Sequence, residues 1–399
     1  MEIIFQELER IKTLTNSYIG AKQYKRGILE DLGGLSLFSF YYGKVFDDPE
    51  SFSRGEELTD EIILNITTSL KISNFRYSNG VTGFASLLKF LNKEDFVDFE
   101  ADDVLSDLDE IIFNYAIQEL DKGNYDFLHG AMGALYYFLI GAEVLNDYAK
   151  KIISKLHSIV EFTPAGTMYW PFYDLKDPYQ LNKLINLGLA HGQPAIISIL
   201  SKAYKLNPSN NILKGLIENA TKTIIDYKYQ DLRNSLYPSM QTILKNNDYY
   251  SNGSRMSWCY GDLGIALALW DVGESLAENS FKSEALECIK KSTLRKDLNE
   301  SSVRDAALCH GSAGIMHIFN RFSKLSNENK YEDEINYWKN ISVKLLNTNK
   351  DKLLTGHCAW SINNQYYNDF GLLQGISGVG LSFLSIINPE IKWGEILLM

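Results

Sequence analysis

Cysteine and histidine side chains stand just before glycine steps at three places in this sequence. Cys309 and His310 directly precede one glycine, His191 directly precedes another, and Cys259 lies two residues before a third. Two thiolates and one imidazole suit Zn²⁺, and three protein ligands leave the fourth tetrahedral position for substrate, as catalytic zinc requires. A free histidine beside such an ion would serve as acid or base, because its ordinary pKa is about 6.5. These residues therefore indicate metal-assisted chemistry, provided that folding brings them together.

A seven-fold internal repeat could bring them together. Its unit is a GxxG step followed by a mostly apolar segment, and two of the seven copies have lost one glycine. The copies begin at Asp31, Gly80, Gly130, Gly192, Gly261, Gly311 and Gly375. We expect the glycines to permit positive φ and close backbone approach. They would also leave free N–H groups at the start of each following helix.

The repeat predicts pairs of helices. Segments after the glycines, such as GFASLLKFL and GIALALWDV, are apolar or small almost all round and predict inner helices. Segments between them, such as SEALECIKKSTL, space apolar residues by three or four and predict outer helices. A ring of helix pairs would make the candidate side chains converge on one axis. An open solenoid is the alternative, in which each GxxG step serves only helix packing.

Two further charged residues lie near these steps. Asp126 lies four residues before Gly130 in an apolar stretch, where a buried acid needs a partner, and could orient His191. Arg255, four residues before Cys259, could stabilise a developing anion, although a surface salt bridge also explains it. His357-Cys358 competes for zinc but lies out of phase with the repeat.

Composition excludes several function classes. Fifty acidic and 39 basic residues give a formal charge of −11, which disfavours nucleic acid as a partner. Four cysteines without a CxxC pair predict reduced thiols rather than a disulfide framework. No signal peptide or membrane-spanning segment is expected, so the predicted location is cytoplasmic.

Four motifs give the chain a family resemblance. GLAHG, WCYG, CHGSAG and GLLQGISGVGL, in this order, resemble the lanthipeptide cyclases, the stand-alone enzymes of nisin-type lantibiotic biosynthesis. The resemblance covers essentially the whole chain. It implies an all-α fold, an α/α toroid of seven inner and seven outer helices, as one domain over residues 1–399. It also implies a small β-rich insertion that binds the leader peptide, which we place around residues 162–186.

The resemblance also implies roles for individual residues. It makes Cys259, Cys309 and His310 the ligands of one Zn²⁺ ion per chain. His191 and Asp126 become the acid/base residues, and Arg255 and Tyr260 line the site. Two departures, Ala195 in place of a second glycine and Asp31 in place of a first, should affect turn geometry rather than chemistry.

The implied reaction adds a peptide cysteine thiol to dehydroalanine or dehydrobutyrine, closing a thioether ring in a lantibiotic precursor. The implied partners are the dehydrated precursor with its leader, together with a dehydratase and an ABC exporter in a membrane-associated complex. Through these partners the protein would be peripheral to the membrane. Two alternatives stay open: a related enzyme that adds glutathione, and a helical-repeat binding scaffold with structural zinc and His191 as fourth ligand. A metal-free α/α-barrel glycosidase is disfavoured, because few acids precede the glycines.

Overall fold

The computed structural model of the chain describes residues 2–21, 25, 27–99, 101–173, 183–230, 234–243, 253–326, 330–361 and 363–399. Within these residues the fold comprises fourteen α-helices, seven short β-strands and one 3₁₀ helix, Trp393–Leu397. The chain is therefore mainly helical, as the repeat predicts.

Seven helices start at the glycine steps and correspond to the predicted inner helices. They are α2 (Asp31–Phe46), α4 (Val81–Lys93), α6 (Ala131–Tyr137), α8 (Gln193–Leu206), α10 (Asp262–Leu276), α12 (Ser312–Leu325) and α14 (Ile376–Ile387). Their first turns are buried on every side, and in α14 every residue from Ile376 to Ser385 is buried. This burial explains why the sequences of their first turns are mostly apolar or small.

Seven other helices have one buried face. They are α1 (Glu2–Gly20), α3 (Pro49–Lys71), α5 (Ala101–Asp121), α7 (Asp147–Ser158), α9 (Asn211–Asp226), α11 (Asn279–Thr293) and α13 (Glu332–Asn347). In α11 the buried side chains include Phe281, Ala285, Cys288 and Ser292, which recur every three or four residues. None of the described helices combines the length and apolar character that crossing a membrane requires.

Close approach, rather than positive φ, explains the glycines. A Cβ on Gly311 would lie 2.3 Å from Oδ1 of Asp305, and one on Gly314 would lie 1.8 Å from the carbonyl oxygen of Leu308. Both distances are too short for any other residue. Among the glycines that open the copies, only Gly261 has positive φ, at 101°. The expectation of positive φ is thus wrong for the remaining copies, whose first glycines are extended.

The helices form two compact units. The first comprises Met1–Ala101, Val303–Leu397 and Met399, and in it α14 packs against α2, α12 and α1. The N-terminal helix α1 is therefore the partner of the last inner helix. In the second unit, Asp102–Ser302 with Leu398, α8 packs against α6, α9 and α10, and α10 packs against α11. The assignment of residues 1–399 to one domain stays a prediction.

Short strands occupy the three longest intervals of the repeat. In the second unit β1 (Glu161–Phe162) pairs with β2 (Met168–Tyr169). There, β4 (Lys183–Asn186) also pairs with both β3 (Phe172–Tyr173) and β5 (Met240–Thr242), all antiparallel. In the first unit β6 (Ala359–Trp360) pairs with β7 (Tyr366–Tyr367). Small sheets are thus present around residues 162–186, although residues 174–182 lie outside the described part, and a leader-binding role there stays a prediction.

Candidate metal centre and acid–base pair

His310 is positioned by a buried carboxylate. It ends the loop that leads into α12, and its Nε2 lies 3.3 Å from Oδ2 of Asp305. Asp305 is 0% exposed and also accepts the amides of Ala307 (3.2 Å) and Trp360 (3.1 Å), so its orientation is fixed. A proton on Nε2 facing this carboxylate leaves the Nδ1 lone pair of His310 for a metal.

Cys309 is held by the backbone of a neighbouring copy of the repeat. Its amide donates to the carbonyl of Leu373 at 2.9 Å, which joins the sixth copy to the seventh within the first unit. The residue is 8% exposed. The thiol is thus presented by a rigid loop at the start of α12.

In the second unit the loop of Cys259 packs tightly against the loop of His191. The amide of Ala190 donates to the Cys259 carbonyl at 3.4 Å. A Cβ on Gly188 would lie 2.7 Å from that same carbonyl oxygen, so the GLAHG glycine is needed for this contact. Cys259 is 6% exposed, and its Sγ lies 3.4 Å from the hydroxyl of Ser257.

His191 and Asp126 form a hydrogen-bonded pair. Nδ1 of His191 lies 2.7 Å from Oδ2 of Asp126, and Oδ1 of Asp126 accepts the amides of Leu128 and His129. Burial opposes the charge on His191, but the hydrogen bond and charge of Asp126, with a contribution from Cys259, raise the pKa of the imidazole above its usual range. Burial likewise opposes the charge on Asp126, but His191 holds its pKa below the ordinary value. The pair therefore favours an imidazolium–carboxylate state.

Tyr260 and Arg255 lie nearby on the Cys259 loop. The ring of Tyr260 lies 6.0 Å from that of His191, centroid to centroid, and Nδ2 of Asn186 donates to its hydroxyl at 3.3 Å. Arg255 is half-buried and donates from Nη2 to the carbonyl of Ser302 at 3.2 Å. The structure thus places Tyr260 beside the acid–base pair and anchors Arg255 to backbone; the catalytic roles of both stay predictions.

The three predicted metal ligands lie close together. The Sγ atoms of Cys259 and Cys309 and a ring nitrogen of His310 all lie within 4.8 Å of one another. We call these residues the Cys₂His group. Two sulfurs and one imidazole nitrogen are a donor set suited to Zn²⁺, and the Asp305 carboxylate behind His310 is the outer partner that zinc-bound histidines usually have. The residues present therefore fit a zinc ion.

The competing pair His357-Cys358 is engaged elsewhere. The His357 ring stacks on Tyr366 with centroids 3.6 Å apart, and its Nε2 lies 3.0 Å from Nδ2 of Asn349. Cys358 is completely buried and lies 3.5 Å from the carbonyl oxygen of Gln374. Among the described residues neither belongs to a group of three metal-ligand side chains.

Sequence reasoning missed Asp305, although a signal for it exists. In five copies an Asn or Asp stands six residues before the first glycine, and its Oδ1 accepts the amide two residues further on, which makes an Asx turn. These residues are Asn74, Asn124, Asn186, Asp305 and Asp369. In the sixth copy the second oxygen of the turn residue reaches His310.

A mainly helical seven-copy repeat with a Cys₂His group at helix starts defines the class of protein. The family profile described as lanthionine synthetase C-like protein matches residues 30–398, and the chain belongs to this family. The resemblance seen in the four motifs is thus confirmed.

Two known proteins are similar to this chain. Nisin biosynthesis protein NisC of Lactococcus lactis subsp. lactis is 26% identical over 289 residues, an alignment covering 67% of this chain and 62% of that protein. The aligned region thus spans less than two thirds of that relative. The solved structure of nisin cyclase matches with a TM-score of 0.72 at 20% identity, covering 98% of this chain and 96% of that one. This similarity confirms the predicted fold class, an α/α toroid.

Proposed function

We propose that this protein is a zinc-dependent lanthipeptide cyclase. It would add cysteine thiols of a dehydrated precursor peptide to dehydroalanine or dehydrobutyrine and so close thioether rings. The observation that carries the proposal is the Cys₂His group, together with the His191–Asp126 pair on the loop that packs against Cys259. Membership of the lanthionine synthetase C-like family supports it.

The Cys₂His group would hold one zinc ion per chain through the Sγ atoms of Cys259 and Cys309 and Nδ1 of His310. When bound, Zn²⁺ would ionise the substrate thiol and hold its sulfur as a thiolate, whereas a free thiol of pKa about 8.5 is only about 3% ionised at pH 7. The two cysteine thiolates would balance the charge of the ion. Electron density would then stay on the substrate sulfur, which favours thiol chemistry over activation of water.

The ring-closing step would be a conjugate addition. The thiolate sulfur forms a bond to the β-carbon of the dehydrated residue, and the C=C π electrons move to give an enolate. The α-carbon then takes one proton. Overall, the S–H bond and the C=C π bond are lost, and one C–S bond and one C–H bond are formed. His191 would supply that proton from Nε2, because Nδ1 is bonded to Asp126 and the raised pKa favours the imidazolium.

Other groups on the same loops would stabilise and orient the substrate. Arg255 is anchored through Nη2, and the remaining N–H groups of its guanidinium could stabilise the enolate oxygen. Tyr260, next to the His191 ring, would line the substrate position. The free N–H groups expected at the helix starts are not available to this anion, because at α12 the amides of Ser312, Ala313 and Gly314 donate to carbonyls of the preceding loop.

The substrate and partners follow from the family. The substrate would be a dehydrated precursor peptide carrying its leader, and the protein would work in the cytoplasm. It would join a dehydratase and an ABC exporter in a complex that is peripheral to the membrane. The similarity to a nisin biosynthesis protein supports this assignment.

Mass spectrometry of a dehydrated lantibiotic precursor, with thiol alkylation before and after incubation with the zinc-loaded protein, tests the proposal. Ring closure leaves the mass unchanged but removes alkylatable thiols. Cys309→Ala should lose stoichiometric zinc and ring closure, whereas Cys358→Ala, which removes another buried cysteine of the same unit, should keep both. Full zinc content and activity in Cys309→Ala would refute the proposal.

Two further readouts separate the alternatives. Offering glutathione in competition with the peptide thiol distinguishes a cyclase from a glutathione-adding enzyme by the mass of the product. In the cobalt-substituted protein, a thiol that joins the metal changes the visible spectrum. An unchanged spectrum on addition of thiol would support a scaffold with a closed structural site.

A further inference from the structure

A cavity in the first unit lies at the C-terminal half of α12. Its volume is about 190 Å³, far more than the about 10–15 Å³ that one water molecule needs. The walls come from α12, the end of α14 and the C-terminal segment, and include His317, Arg321, Lys324, Lys392 and Glu390. None of the described residues that line this cavity belongs to the Cys₂His group, so the two are separate features.

Three nitrogen-bearing side chains share one face of α12. His317, Arg321 and Lys324 follow each other by four and three residues, which places them in a row on one helix face. All three line the cavity. Like charges at this spacing destabilise a helix unless something compensates them.

Arg321 has no compensating partner among the described residues. No hydrogen bond, ion pair or ring contact is formed by its guanidinium within that part of the chain, and its buried Nε has no hydrogen-bond partner. Leaving a charged donor partly buried without an acceptor is costly, and such groups are rare in folded proteins. An oxyanion in the cavity would supply the missing acceptor.

His317 gives a second, independent sign of a missing ligand. The side chain is 7% exposed, its Nδ1 has no hydrogen-bond partner, and its ring packs on Trp393 with centroids 4.5 Å apart. Burial, with the charges of Arg321 and Lys324, lowers the pKa of the imidazole to about 3. Burial, offset by Glu390 and reinforced by Arg321, lowers the pKa of Lys324 to about 8. Burial is the main cause of both shifts, and the charge of Arg321 acts in the same direction on both groups.

The acidic residues of the wall do not balance this charge. Glu395 forms an ion pair with Lys93, and Glu94 lies 3.8 Å from Lys392, so these groups are paired with one another. Lys324 donates to the carbonyl of Pro389 at 2.7 Å, and among the side chains that line the cavity Glu390 is the remaining carboxylate. One unpaired side-chain carboxylate thus accompanies the two cations of α12 in the cavity wall.

We propose that this cavity is a binding site for a small oxyanion, a phosphate or carboxylate group, held by Arg321 and Lys324 with His317 as an additional donor. Arginine offers a planar fork that matches both groups, and lysine adds a point charge. The site is independent of the proposed cyclase reaction.

NMR of the histidine side chains tests the site directly. The chain has six histidines, so ¹⁵N-histidine labelling gives few ring resonances, and His317→Gln assigns one of them. Sodium phosphate and sodium acetate are titrated separately against sodium chloride of equal ionic strength. We expect at least one oxyanion to shift the His317 resonance saturably while chloride does not. The response to each salt tells whether phosphate or carboxylate is the better ligand.

Variants distinguish a built site from general charge effects. Arg321→Gln should weaken the oxyanion about fivefold or more, whereas Arg54→Gln, the same change at an exposed arginine of α3, should leave it unaltered. Thermal unfolding gives a second readout, because the ligand should raise the midpoint of the wild type and of Arg54→Gln but not of Arg321→Gln. If Arg321→Gln fails to fold, Lys324→Gln takes its place. Equal binding by the cavity variant and Arg54→Gln, or no response beyond chloride, would overturn the proposal.

Discussion

The two carboxylate oxygens of Asp305 have different partners, and His310 is a partner of the second oxygen. Oδ1 accepts the amide of Ala307 and closes the Asx turn, while Oδ2 lies 3.3 Å from Nε2 of His310. A loop-forming residue of the repeat therefore also faces the imidazole of a candidate metal ligand.

Replacing Asp305 by Asn should weaken zinc binding. The amide can keep the turn through its oxygen but cannot hold the proton on Nε2 of His310 as a carboxylate does. Loss of such an outer partner typically lowers metal affinity by about 10–100-fold. Competition with a chromophoric chelator measures the change.

Asp369→Asn is the matched control for this prediction. Asp369 is the equivalent residue of the seventh copy, closes its own turn through the amide of Gly371 and pairs with Lys25 at 3.0 Å. We expect some loss of stability but unchanged zinc affinity. If both variants bind zinc with equally reduced affinity, Asp305 acts only through the fold.

The pH profile of ring closure should depend on Asp126. Asp126→Asn removes the charge that raises the pKa of His191. The imidazolium of the variant should therefore lose its proton at a lower pH than in the wild type. An acid catalyst must be protonated, and kcat/KM should therefore fall at lower pH than in the wild type. The limb should move by about one pH unit or more, since a carboxylate hydrogen-bonded to histidine has an effect of this size.

Asp109→Asn provides the comparison for Asp126→Asn. Asp109 accepts the hydroxyl of Tyr137 at 2.8 Å and has no contact with His191 among the described residues. Its variant should keep the wild-type profile. An unmoved limb in Asp126→Asn would remove His191 from the role of acid.

The same pair predicts how stability varies with pH. The pKa of His191 is raised in the folded state, so its contribution is complete below about 6.5 and is lost as pH rises through the folded value. The pKa of Asp126 is lowered, so its contribution is complete above about 3.9 and is lost as pH falls through the folded value. The stabilisation should be largest between these limits, with His129, Tyr260 and Cys259 as the other titratable neighbours.

Urea unfolding of His191→Asn at several pH values checks this window. The variant should lose about 1.5–3 kcal/mol near pH 5.5, as expected for a hydrogen bond between charged groups, and less above pH 8. A loss independent of pH would indicate a packing effect.

The positions of the inner helices could be predicted because each depends on local features. A glycine step followed by apolar residues opens all seven, with Asp31 in place of the first glycine in α2. The end of α6 could not be predicted, since the apolar run continues past Tyr137. There the amides of Phe138 and Leu139 bond to carbonyls only three residues back, and Gly141 takes positive φ.

The candidate site residues could be named from the sequence, but the residues that support them could not. Cys259, Cys309, His310 and His191 have distinctive side chains at fixed places in the repeat. In the sequence Asp305 is indistinguishable from the other turn residues of the repeat. Its contact with His310 depends on how the folded loop places the two side chains.

The fourth copy, with Ala195 in place of the second glycine, differs from three regular copies in one backbone hydrogen bond. The second-glycine amides of three regular copies, at Gly83, Gly314 and Gly378, bond to carbonyls seven residues back. In the fourth copy the amide of Ala195 bonds to Gly192 instead. His191 still pairs with Asp126, so the change concerns turn geometry.

Gly314→Ala tests the packing explanation of the GxxG step. The new Cβ would lie 1.8 Å from the carbonyl oxygen of Leu308, so the start of α12 must move away from the loop that carries Cys309 and His310. Overpacking of this kind costs about 1–3 kcal/mol or more, and we also expect weaker zinc binding because both ligands shift.

In the middle of α9, a Cβ on Gly215 would meet nothing within 4 Å, and Gly215→Ala should stabilise the protein by up to about 1 kcal/mol. Urea unfolding and zinc titration of the two variants compare the same substitution in both settings; a Gly314→Ala protein with wild-type stability and zinc affinity would mean that the step tolerates a side chain.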